Sequence, residues 1–424
     1  MVIEEVAVKL LYENLRQLVE EKAKEEGNRT YIAFYDKEIT FNDFDKVTSK
    51  FANGLKGLGV KKGDIVYIYQ NNSLDYMICV FGILKLGAIA SPINSWLKAE
   101  EVKFQLNDSK GKFIITDSEL VGVLDSIKPE LKYIEKIIEV GTEVVKADRI
   151  SYKKLIEDNS EILEDVSIRP DDYSFLFYTG GTTGLPKGAV LTHRNVLFSS
   201  ASIRMALEKP GEEKKEVCAL IFLPLFHVNA MMSLIVSLYR GIKVALLKKF
   251  SVSEFGPTVE KHKCTFFSGV PRVYKILLQA KDIVKKYDLS SLQYGIVGAA
   301  PMPPETIREF EKEYNVEVLE GYGLTEGTVA STLHRRDGKK KIGSIGPALP
   351  GQIVKIVDDE GKEQPHGKTG HIIVKGENVM VGYFGKEDET KKVLKDGWLY
   401  TGDIGYRDDE GYFYIVDREK DMII

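Results

Sequence analysis

The sequence predicts an α/β protein with parallel sheets and an additional small antiparallel β-barrel. From residue 47 to residue 116, helical patterns alternate with short β-branched runs, as in parallel sheets that carry helices on both faces. Beyond about Gly343 the sequence becomes a series of short strands separated by closely spaced turn residues, which is typical of a small antiparallel barrel. At 424 residues the chain is too long for one core, so we expect two or three sub-structures.

Local patterns predict the individual elements in chain order. Residues 1–27 place glutamates among leucines and valines, which predicts an amphipathic helix and not a signal peptide. The longest apolar run, 76–93, is interrupted by Lys85, so it predicts a helix packed inside an α/β core and not a membrane span. Polar stretches at 157–172 and 208–216 are expected to connect elements. We predict further helices at 47–58 and 74–86, and strands at 65–69, 113–116, 218–222, 353–357, 371–374 and 411–416.

Composition argues against several classes of function. A net charge of −4 with 29% charged residues offers no basic surface for nucleic acid or anionic lipid. The three cysteines, Cys79, Cys218 and Cys264, are few and widely spaced, which favours a reducing compartment over a disulfide framework or a zinc site. With neither a signal peptide nor a membrane span expected, the sequence predicts a cytoplasmic protein. It leaves the choice between monomer and homodimer open.

A loop rich in glycine and threonine is the first candidate for a binding site. Residues 178–188 read Tyr-Thr-Gly-Gly-Thr-Thr-Gly-Leu-Pro-Lys-Gly and follow an apolar strand pattern at 174–177. Glycines let backbone N–H groups approach an anion, the threonines add hydroxyl donors, and Lys187 adds a positive charge. The loop predicts a cradle for a nucleoside triphosphate, but it is not a Walker A motif, because Pro186 precedes the lysine and Gly188 follows it. The alternative is an ordinary surface loop, which seldom combines this composition with a buried strand.

Four further motifs follow this loop along the chain. They are Leu-Pro-Leu-Phe-His at 223–227, Gly-Tyr-Gly-Leu-Thr-Glu at 321–326, Tyr-Thr-Gly-Asp at 400–403 and Asp-Arg-Glu-Lys-Asp at 417–421. Together with the loop, they make the chain resemble the adenylate-forming superfamily of acyl- and aryl-CoA ligases, peptide-synthetase adenylation domains and beetle luciferases. The resemblance covers nearly the whole chain. Gly180 replaces the more common serine of the loop and keeps the backbone cradle.

The resemblance implies one large N-terminal adenylation domain made of two doubly wound α/β subdomains, with mixed or parallel sheets, and a small antiparallel β-barrel. The expected bounds are about 1–58 with 210–340 for one subdomain, about 59–209 for the second, which carries the phosphate loop, about 341–416 for the barrel and 417–424 for a hinge. Lys420 falls at the family's hinge position, before a mobile C-terminal domain. Because the chain stops at Ile424, we expect that domain to be missing and this chain to be a weak or inactive ligase.

The resemblance also implies which residues bind the nucleotide. Lys187 would contact the leaving phosphates, Thr325 would donate to the α-phosphate, and Glu326 would bind Mg²⁺. Tyr322 would stack on adenine and Asp403 would accept hydrogen bonds from the ribose. Without the motifs, Glu326 is explained as a helix N-terminal acid, Tyr322 as core and Asp403 as a turn residue. The implied nucleotide-binding residues are Thr179, Gly180, Gly181, Thr182, Thr183, Gly184, Lys187, Gly298, Ala299, Ala300, Pro301, Gly321, Tyr322, Gly323, Thr325, Asp403 and Arg418.

His227 bears on the class of acid. In amino-acid-activating members of the superfamily an aspartate at this position pairs with the α-ammonium group, so a histidine leaves such a substrate without a counter-charge. His227 resembles the histidine that gates the acyl pocket of CoA ligases and luciferases; a buried structural histidine is the alternative. Met231 and Met232 suit either a flexible aliphatic chain or plain helix core. The implied pocket residues are His227, Val228, Asn229, Met231, Gly269, Gly298 and Gly323, and the implied catalytic residues are Lys187, His227, Thr325 and Glu326.

The sequence therefore predicts ATP-dependent activation of a carboxylic acid to acyl-AMP with release of pyrophosphate, followed in the full-length enzyme by transfer to coenzyme A. The expected acid is a medium- or long-chain fatty acid, and the expected cofactors and co-substrates are ATP, Mg²⁺ and coenzyme A. An aryl-acid CoA ligase and a non-catalytic adenylate-binding protein stay open as alternatives.

Overall fold

The structure is a computed structural model that describes residues 7–142, 145–180 and 185–418. Within these ranges the strands are β1 (Thr30–Phe34), β2 (Lys37–Thr40), β3 (Ile65–Tyr69), β4 (Ile89–Pro92), β5 (Phe113–Asp117), β6 (Lys136–Val140), β7 (Ile150–Ser151), β8 (Tyr173–Thr179), β9 (Lys187–Thr192), β10 (Cys218–Ile221), β11 (Lys243–Leu246), β12 (Phe266–Gly269), β13 (Tyr294–Val297), β14 (Glu317–Tyr322), β15 (Thr332–Leu333), β16 (Ile353–Val357), β17 (Gly370–Lys375), β18 (Gly382–Tyr383), β19 (Leu394–Lys395), β20 (Trp398–Arg407) and β21 (Phe413–Arg418). The α-helices are α1 (Leu15–Glu26), α2 (Phe41–Gly57), α3 (Leu74–Lys85), α4 (Ala99–Ser109), α5 (Val121–Ile127), α6 (Tyr152–Glu157), α7 (His193–Leu207), α8 (Val228–Arg240), α9 (Val252–His262), α10 (Pro271–Gln279), α11 (Lys281–Val284), α12 (Pro304–Tyr314) and α13 (Glu387–Val393). Short 3₁₀ turns occupy Lys128–Glu130, Lys214–Glu216 and Thr325–Gly327.

Capping residues explain where two helices differ from the predicted bounds. Residues 1–6 of the amphipathic helix predicted at 1–27 lie outside the described part of the chain. From residue 7 onwards the helix begins at Leu15, because the side chain of Asn14 accepts a hydrogen bond from the backbone N–H of Gln17. Helix α2 begins earlier than the predicted start, after Thr40, whose hydroxyl oxygen accepts from the N–H of Asp43 at 3.0 Å. In both cases the cap, and not the apolar pattern, sets the first turn.

The first sheet has the strand order β15-β14-β13-β12-β10-β11-β1-β2. Its inner neighbours are parallel, whereas the end pairs β1–β2 and β14–β15 are antiparallel. The sheet joins two distant parts of the chain, since Ile32 in β1 is in register with Val244 in β11. In such sheets the carboxyl ends of the parallel strands share one edge, where ligands usually bind.

The second sheet has the strand order β18-β9-β8-β4-β3-β5-β6-β7. The strands from β8 to β7 are parallel neighbours, and the antiparallel hairpin of β8 and β9 carries the loop rich in glycine and threonine. Strand β18 pairs with β9, where Gly382 is opposite Val190 and Tyr383 is opposite Ala189. This pairing corrects the predicted barrel segment of 341–416, because its strand β18 belongs to the second sheet. The added strand satisfies backbone groups that an edge strand would expose.

The third sheet is antiparallel and small. Its order is β16-β17-β20-β19, and β21 also pairs with β20. Strand β20 is long enough to pair with β19 through Leu399 and with β21 from Asp403 onwards. Within the described residues these strands curl into a half-barrel and do not close. Its apolar face packs against Tyr322 and Leu324, so this sheet lies beside the end of β14.

The main hydrophobic core lies between the two large sheets, with helices α2, α3, α7 and α8 packed in it. Every residue of α3 from Tyr76 onwards is buried. Lys85 at its end pairs with Asp45 and donates to the hydroxyl of Ser49 at 2.8 Å. This pairing allows a charge inside the apolar run and confirms the prediction of a core helix. Over the described ranges, no helix combines the length and the apolar composition that crossing a membrane requires.

Candidate active site

One cavity of about 1550 Å³ lies where the three sheets meet. The ends of β8, β13 and β14 contribute to its wall, as do parts of β20 and β21. A cavity at the carboxyl ends of parallel strands is in the usual position for a ligand site. The predicted site residues at its wall are Thr179, Gly180, Lys187, His227, Val228, Asn229, Gly298, Ala299, Gly321, Tyr322, Gly323, Thr325, Glu326, Asp403 and Arg418.

Several predicted site residues do not line the cavity. Met231 is fully buried in the main core, and Met232 lines the cavity instead. Successive helical residues point about 100° apart, so the two methionines of α8 face different surroundings. Gly269 does not line the cavity, although its neighbours Ser268 and Val270 do. Ala300 and Pro301 are exposed outside the wall, and Gly181, Thr182, Thr183, Gly184 and Lys420 lie outside the described residues.

A buried carboxylate organises the polar half of the cavity. Asp403 is 5% exposed, accepts a hydrogen bond from the Tyr322 hydroxyl and pairs with Arg418 Nε at 3.1 Å. Strands β20 and β21 fix the ion pair, because Asp403 and Arg418 are opposite each other in their register. Burial raises the pKa of the Tyr322 hydroxyl well above its ordinary value, so the phenol stays protonated and donates. The carboxylate is therefore held in one orientation at the wall.

A second ion pair joins the start of β9 to helix α13. Lys187 Nζ contacts Glu389 Oε2 and lies 5.1 Å from the centre of the Tyr383 ring. Hydrogen bonds from Lys187 and Lys392 lower the pKa of Glu389 to about 2, so this carboxylate is ionised. The Tyr383 hydroxyl donates to Glu326 Oε1 at 2.7 Å. Glu389 thus contacts Lys187, which was predicted to act on a triphosphate. Tyr383 contacts Glu326, which was predicted to bind the metal ion.

The backbone that follows β14 is tightly folded. A Cβ atom added to Gly323 would lie 2.1 Å from the carbonyl oxygen of Val329, so only glycine fits. Thr328 and Val329 have positive φ angles of 51° and 77°, which are strained for β-branched residues. The Thr328 hydroxyl donates to the carbonyl of Asn378 at 2.6 Å and holds this conformation. The strained turn presents Glu326 to the cavity.

Another part of the wall is nearly bare backbone. A Cβ atom on Gly298 would lie 3.1 Å from the carbonyl oxygen of Gly321, so strands β13 and β14 approach closely at their ends. Ala299 follows with a positive φ of 68°. Small residues at these positions leave room for a flat ring to lie against the backbone.

The other half of the cavity is apolar and extends into the core. Val236 is nine residues beyond His227 along α8, which corresponds to about 13 Å of helical rise. Phe266 begins β12, two residues before Ser268, and its side chain is 5% exposed. The apolar half therefore runs from the polar half toward the start of β12. The apolar residues at its wall are Ile203, Leu207, Met232, Val236, Phe266, Ile296 and Leu333.

A stack of rings and guanidinium groups lies behind this apolar half. The Phe266 and Tyr294 rings are parallel, with centres 4.8 Å apart and an interplanar angle of 4°. The guanidinium carbon of Arg240 is 5.7 Å from the centre of Phe266, and that of Arg336 is 4.2 Å from the centre of Tyr294. Glu212 pairs with both arginines. Because moving Phe266 would disturb this buried charge network, the ring forms a rigid floor.

His227 is the N-cap residue of α8, and its side chain is open to the cavity. Its ring centre lies 4.5 Å from that of Phe226, which Trp96 contacts edge-on at 5.4 Å. Enclosure by the surrounding protein lowers the pKa of the imidazole. The ring is therefore neutral at physiological pH, and it can form a hydrogen bond without adding a charge.

Sequence motifs did not single out Tyr383, Glu389 or Phe266. Phe266 lies in an apolar strand pattern that equally describes core. Glu389 follows two other acids in the short helix α13, and one turn of charged residues does not reveal which of them faces a cavity. The Gly-Tyr pair at 382–383, between predicted strands, was the available signal for Tyr383, and its pairing with β9 depends on residues far away in the sequence.

The fold and the cavity define a class of protein: an α/β domain that joins a charged, nucleotide-sized site to an enclosed apolar pocket. A family model described as AMP-binding enzyme matches residues 19–384. The chain belongs to this family, which confirms the predicted superfamily and fold class.

Individual relatives agree with this assignment. The chain is 34% identical over 437 residues to a long-chain-fatty-acid–CoA ligase of Bacillus subtilis (strain 168), covering 97% of this chain and 77% of the relative. The crystal structure of the anthranilate CoA ligase AuaEII with anthranoyl-AMP has a TM-score of 0.91 at 28% identity, covering 98% of this chain and 79% of that one. The inhibitor-bound N-terminal domain of FACL13 from Mycobacterium tuberculosis has a TM-score of 0.87 at 29% identity, covering 96% of this chain and 100% of that one.

Proposed function

We propose that this chain uses ATP to activate a fatty acid as its acyl-adenylate, the first half of an acid–CoA ligase reaction. The observation that carries the proposal is that one cavity of about 1550 Å³ contains both a charged half and an enclosed apolar half. Adenylation requires this combination, because the carboxylate must meet the α-phosphate while the rest of the acid leaves water. The fatty-acid ligase activity stated for the B. subtilis relative supports the choice of acid.

The polar half supplies the groups that phosphoryl chemistry requires. Attack of a carboxylate on the α-phosphorus brings two anions together, so cations and donors must neutralise the developing charge. Lys187 would bind the leaving phosphates, and the hydroxyl of Thr325 would donate to the α-phosphate. Asp403, held by Tyr322, would accept hydrogen bonds from the ribose hydroxyls.

Glu326 suits a magnesium ion. Its carboxylate is a hard oxygen ligand at the cavity wall, and its Oε1 atom accepts a hydrogen bond from the neutral phenol of Tyr383. Magnesium is commonly bound by one or two carboxylates together with phosphate oxygens. When bound, the ion would neutralise the charge of the departing pyrophosphate.

The apolar half favours an aliphatic acid over an amino acid or a flat aromatic acid. Its apolar wall residues are aliphatic or flexible except for Phe266, whereas an aryl pocket would be flat and rigid. Between Leu223 and Val236, the stretch that surrounds His227, none of the cavity-lining residues is acidic, so an α-ammonium group beside His227 would be buried without a counter-charge. An aryl acid is the second candidate, because the AuaEII structure contains anthranoyl-AMP.

Hydrolysis-resistant adenylates that differ only in the acyl group would test this function. Each methylene that enters the apolar half should contribute up to about 0.8 kcal/mol. We therefore expect affinity to rise about tenfold or more from the acetyl to the octanoyl analogue and again to the dodecanoyl analogue, measured by titration calorimetry. The leucyl analogue should bind at least about tenfold more weakly than the 4-methylpentanoyl analogue, which lacks only the ammonium group.

Three results would contradict the proposal in different ways. A benzoyl analogue that binds more tightly than the dodecanoyl analogue would favour the aryl-acid alternative. Equal affinity for the leucyl and 4-methylpentanoyl analogues would overturn the exclusion of amino acids. No exchange of labelled pyrophosphate into ATP with any acid by a chain extended with the family's C-terminal domain, despite tight adenylate binding, would favour a non-catalytic adenylate-binding protein.

Phe266 is expected to limit the length of the bound acid. In Phe266→Ala the floor of the apolar half is removed, so the hexadecanoyl analogue should gain about tenfold or more in affinity relative to the dodecanoyl analogue. The matched control is Phe267→Ala, because Phe267 lies on the other face of β12, in a different core cluster. Both variants should lose about 3–5 kcal/mol of folding stability. Identical chain-length preferences in the two variants would show that Phe266 is not the floor.

A further inference from the structure

We propose that Glu389 is a positioning residue that promotes pyrophosphate release by competing with phosphate for Lys187. Glu389 lies outside the motifs that mark the nucleotide site, and the adenylation chemistry described above gives it no role. The inference rests on the proposed function, because it requires a triphosphate at this end of the cavity.

The structure fixes Glu389 next to Lys187 through two hydrogen bonds donated by backbone N–H groups. The N–H of Phe384, which follows β18, donates to the carbonyl of Gly188 at 2.8 Å. The hydroxyl of Thr390 then accepts from the N–H of Tyr383 at 2.9 Å, which ties helix α13 to β18. Because Gly188 is the neighbour of Lys187, these contacts place α13 directly over the start of β9. The ion pair is therefore a built feature of the fold and not a chance meeting of two long side chains.

Glu389 has a second cationic partner that makes an exchange possible. Its Oε2 atom contacts Lys187, and its Oε1 atom contacts Lys392 of the same helix. The side chains of Lys187 and Glu389 are 30% and 31% exposed, so neither charge is sealed from water. When Lys187 turns to a phosphate, Glu389 keeps Lys392 as its partner. No charge is left unpaired in either state.

Competition for Lys187 acts on some ligands and not on others. ATP and pyrophosphate both need the lysine, so binding either one must break the ion pair with Glu389. AMP and an acyl-adenylate lack the leaving phosphates, so the ion pair persists when they are bound. Glu389 therefore lowers the affinities for ATP and pyrophosphate by the same factor and leaves the affinity for the adenylate unchanged. The result favours departure of pyrophosphate once the adenylate has formed, and it disfavours the reverse reaction.

The test compares Glu389→Gln with Asp388→Asn by titration calorimetry of Mg²⁺–ATP, Mg²⁺–pyrophosphate and AMP. Asp388 is exposed, lies next to Glu389 on α13 and makes no ion pair among the described residues. Both substitutions remove one negative charge from the same helix. We expect Glu389→Gln to raise the affinities for ATP and pyrophosphate about fivefold. This factor corresponds to the free energy of a partly exposed ion pair. AMP affinity should stay unchanged in this variant, and all three affinities should change less than twofold in Asp388→Asn.

A double-mutant cycle with Lys187→Met assigns the effect to the ion pair. If Glu389 acts by competing for Lys187, Glu389→Gln should no longer tighten pyrophosphate once the lysine is absent. Unchanged pyrophosphate affinity in Glu389→Gln overturns the inference. An equal gain in pyrophosphate affinity in Asp388→Asn, or an equal gain in AMP affinity in Glu389→Gln, also overturns it. A wild-type chain that binds neither ATP nor AMP would instead overturn the proposed function.

Discussion

Asp403→Ala should reduce AMP affinity by about two orders of magnitude or more. The wild-type carboxylate is buried, accepts from Tyr322 and pairs with Arg418, so it is already oriented to accept hydrogen bonds from a ribose. Each charge-assisted hydrogen bond contributes about 1.5–3 kcal/mol, and two are lost together in the variant. Titration calorimetry with AMP measures the effect directly.

Two further variants make this result specific. Asp409→Ala removes the same charge from the exposed turn between β20 and β21, and it should leave AMP affinity within about twofold of wild type. Asp403→Asn keeps the size and one acceptor oxygen, so its AMP affinity should fall between those of the wild type and Asp403→Ala. A loss below threefold in Asp403→Ala would show that the ribose does not bind here.

Gly323→Ala is expected to be strongly destabilising, because its added methyl group makes the shortest contact found for any described glycine. The new Cβ would lie 2.1 Å from the carbonyl oxygen of Val329, a backbone atom in a turn that already contains strained φ angles. The turn must shift, and the position of Glu326 shifts with it. We expect a loss of about 3 kcal/mol or more in folding stability and a loss of Mg²⁺–ATP binding, measured by calorimetry.

Gly57→Ala is the matched control for this substitution. Gly57 ends helix α2, and an added Cβ would meet nothing within 4 Å. Alanine is the better helix former by about 0.5–1 kcal/mol, so this variant should melt at the wild-type temperature or slightly above it. Equal stability of the two variants would mean that the turn after β14 adapts to a side chain.

Local patterns in the sequence predicted much of the fold. The strand predicted at 65–69 is β3, because a fully apolar run between turn residues has few other solutions in an α/β protein. The buried helix α3 followed from the same logic. The small antiparallel β-barrel was predicted from its short strands and turns, whereas its half-barrel form could not be predicted, since closure depends on how the last strands pair and not on any one strand. Helix starts were displaced where a cap such as Thr40 outweighs the apolar period.

The candidate site was predictable to the extent that its residues lie in motifs. Asp403 and Tyr322 were predicted independently, and the structure brings their side chains into contact. Met231 was predicted to line the pocket, whereas Met232 lines the cavity, because residue type alone does not settle which of two adjacent methionines faces a cavity. Glu389 and Phe266 could not be identified, since each acts through neighbours that are distant in the sequence and form no local pattern.

The register of Ile32 in β1 with Val244 in β11 has a consequence for the synthesis of the chain. At about 5–20 residues per second, β1 leaves the ribosome on the order of ten seconds or more before its parallel partner exists. The first sheet therefore cannot be completed while its N-terminal part is being made: β1 can pair with β2, but its other edge, which pairs with β11, stays open during the interval. A topology with such non-local pairing folds slowly for its size. In a cell, the yield of this protein should depend on chaperones that protect its early segment until β11 emerges.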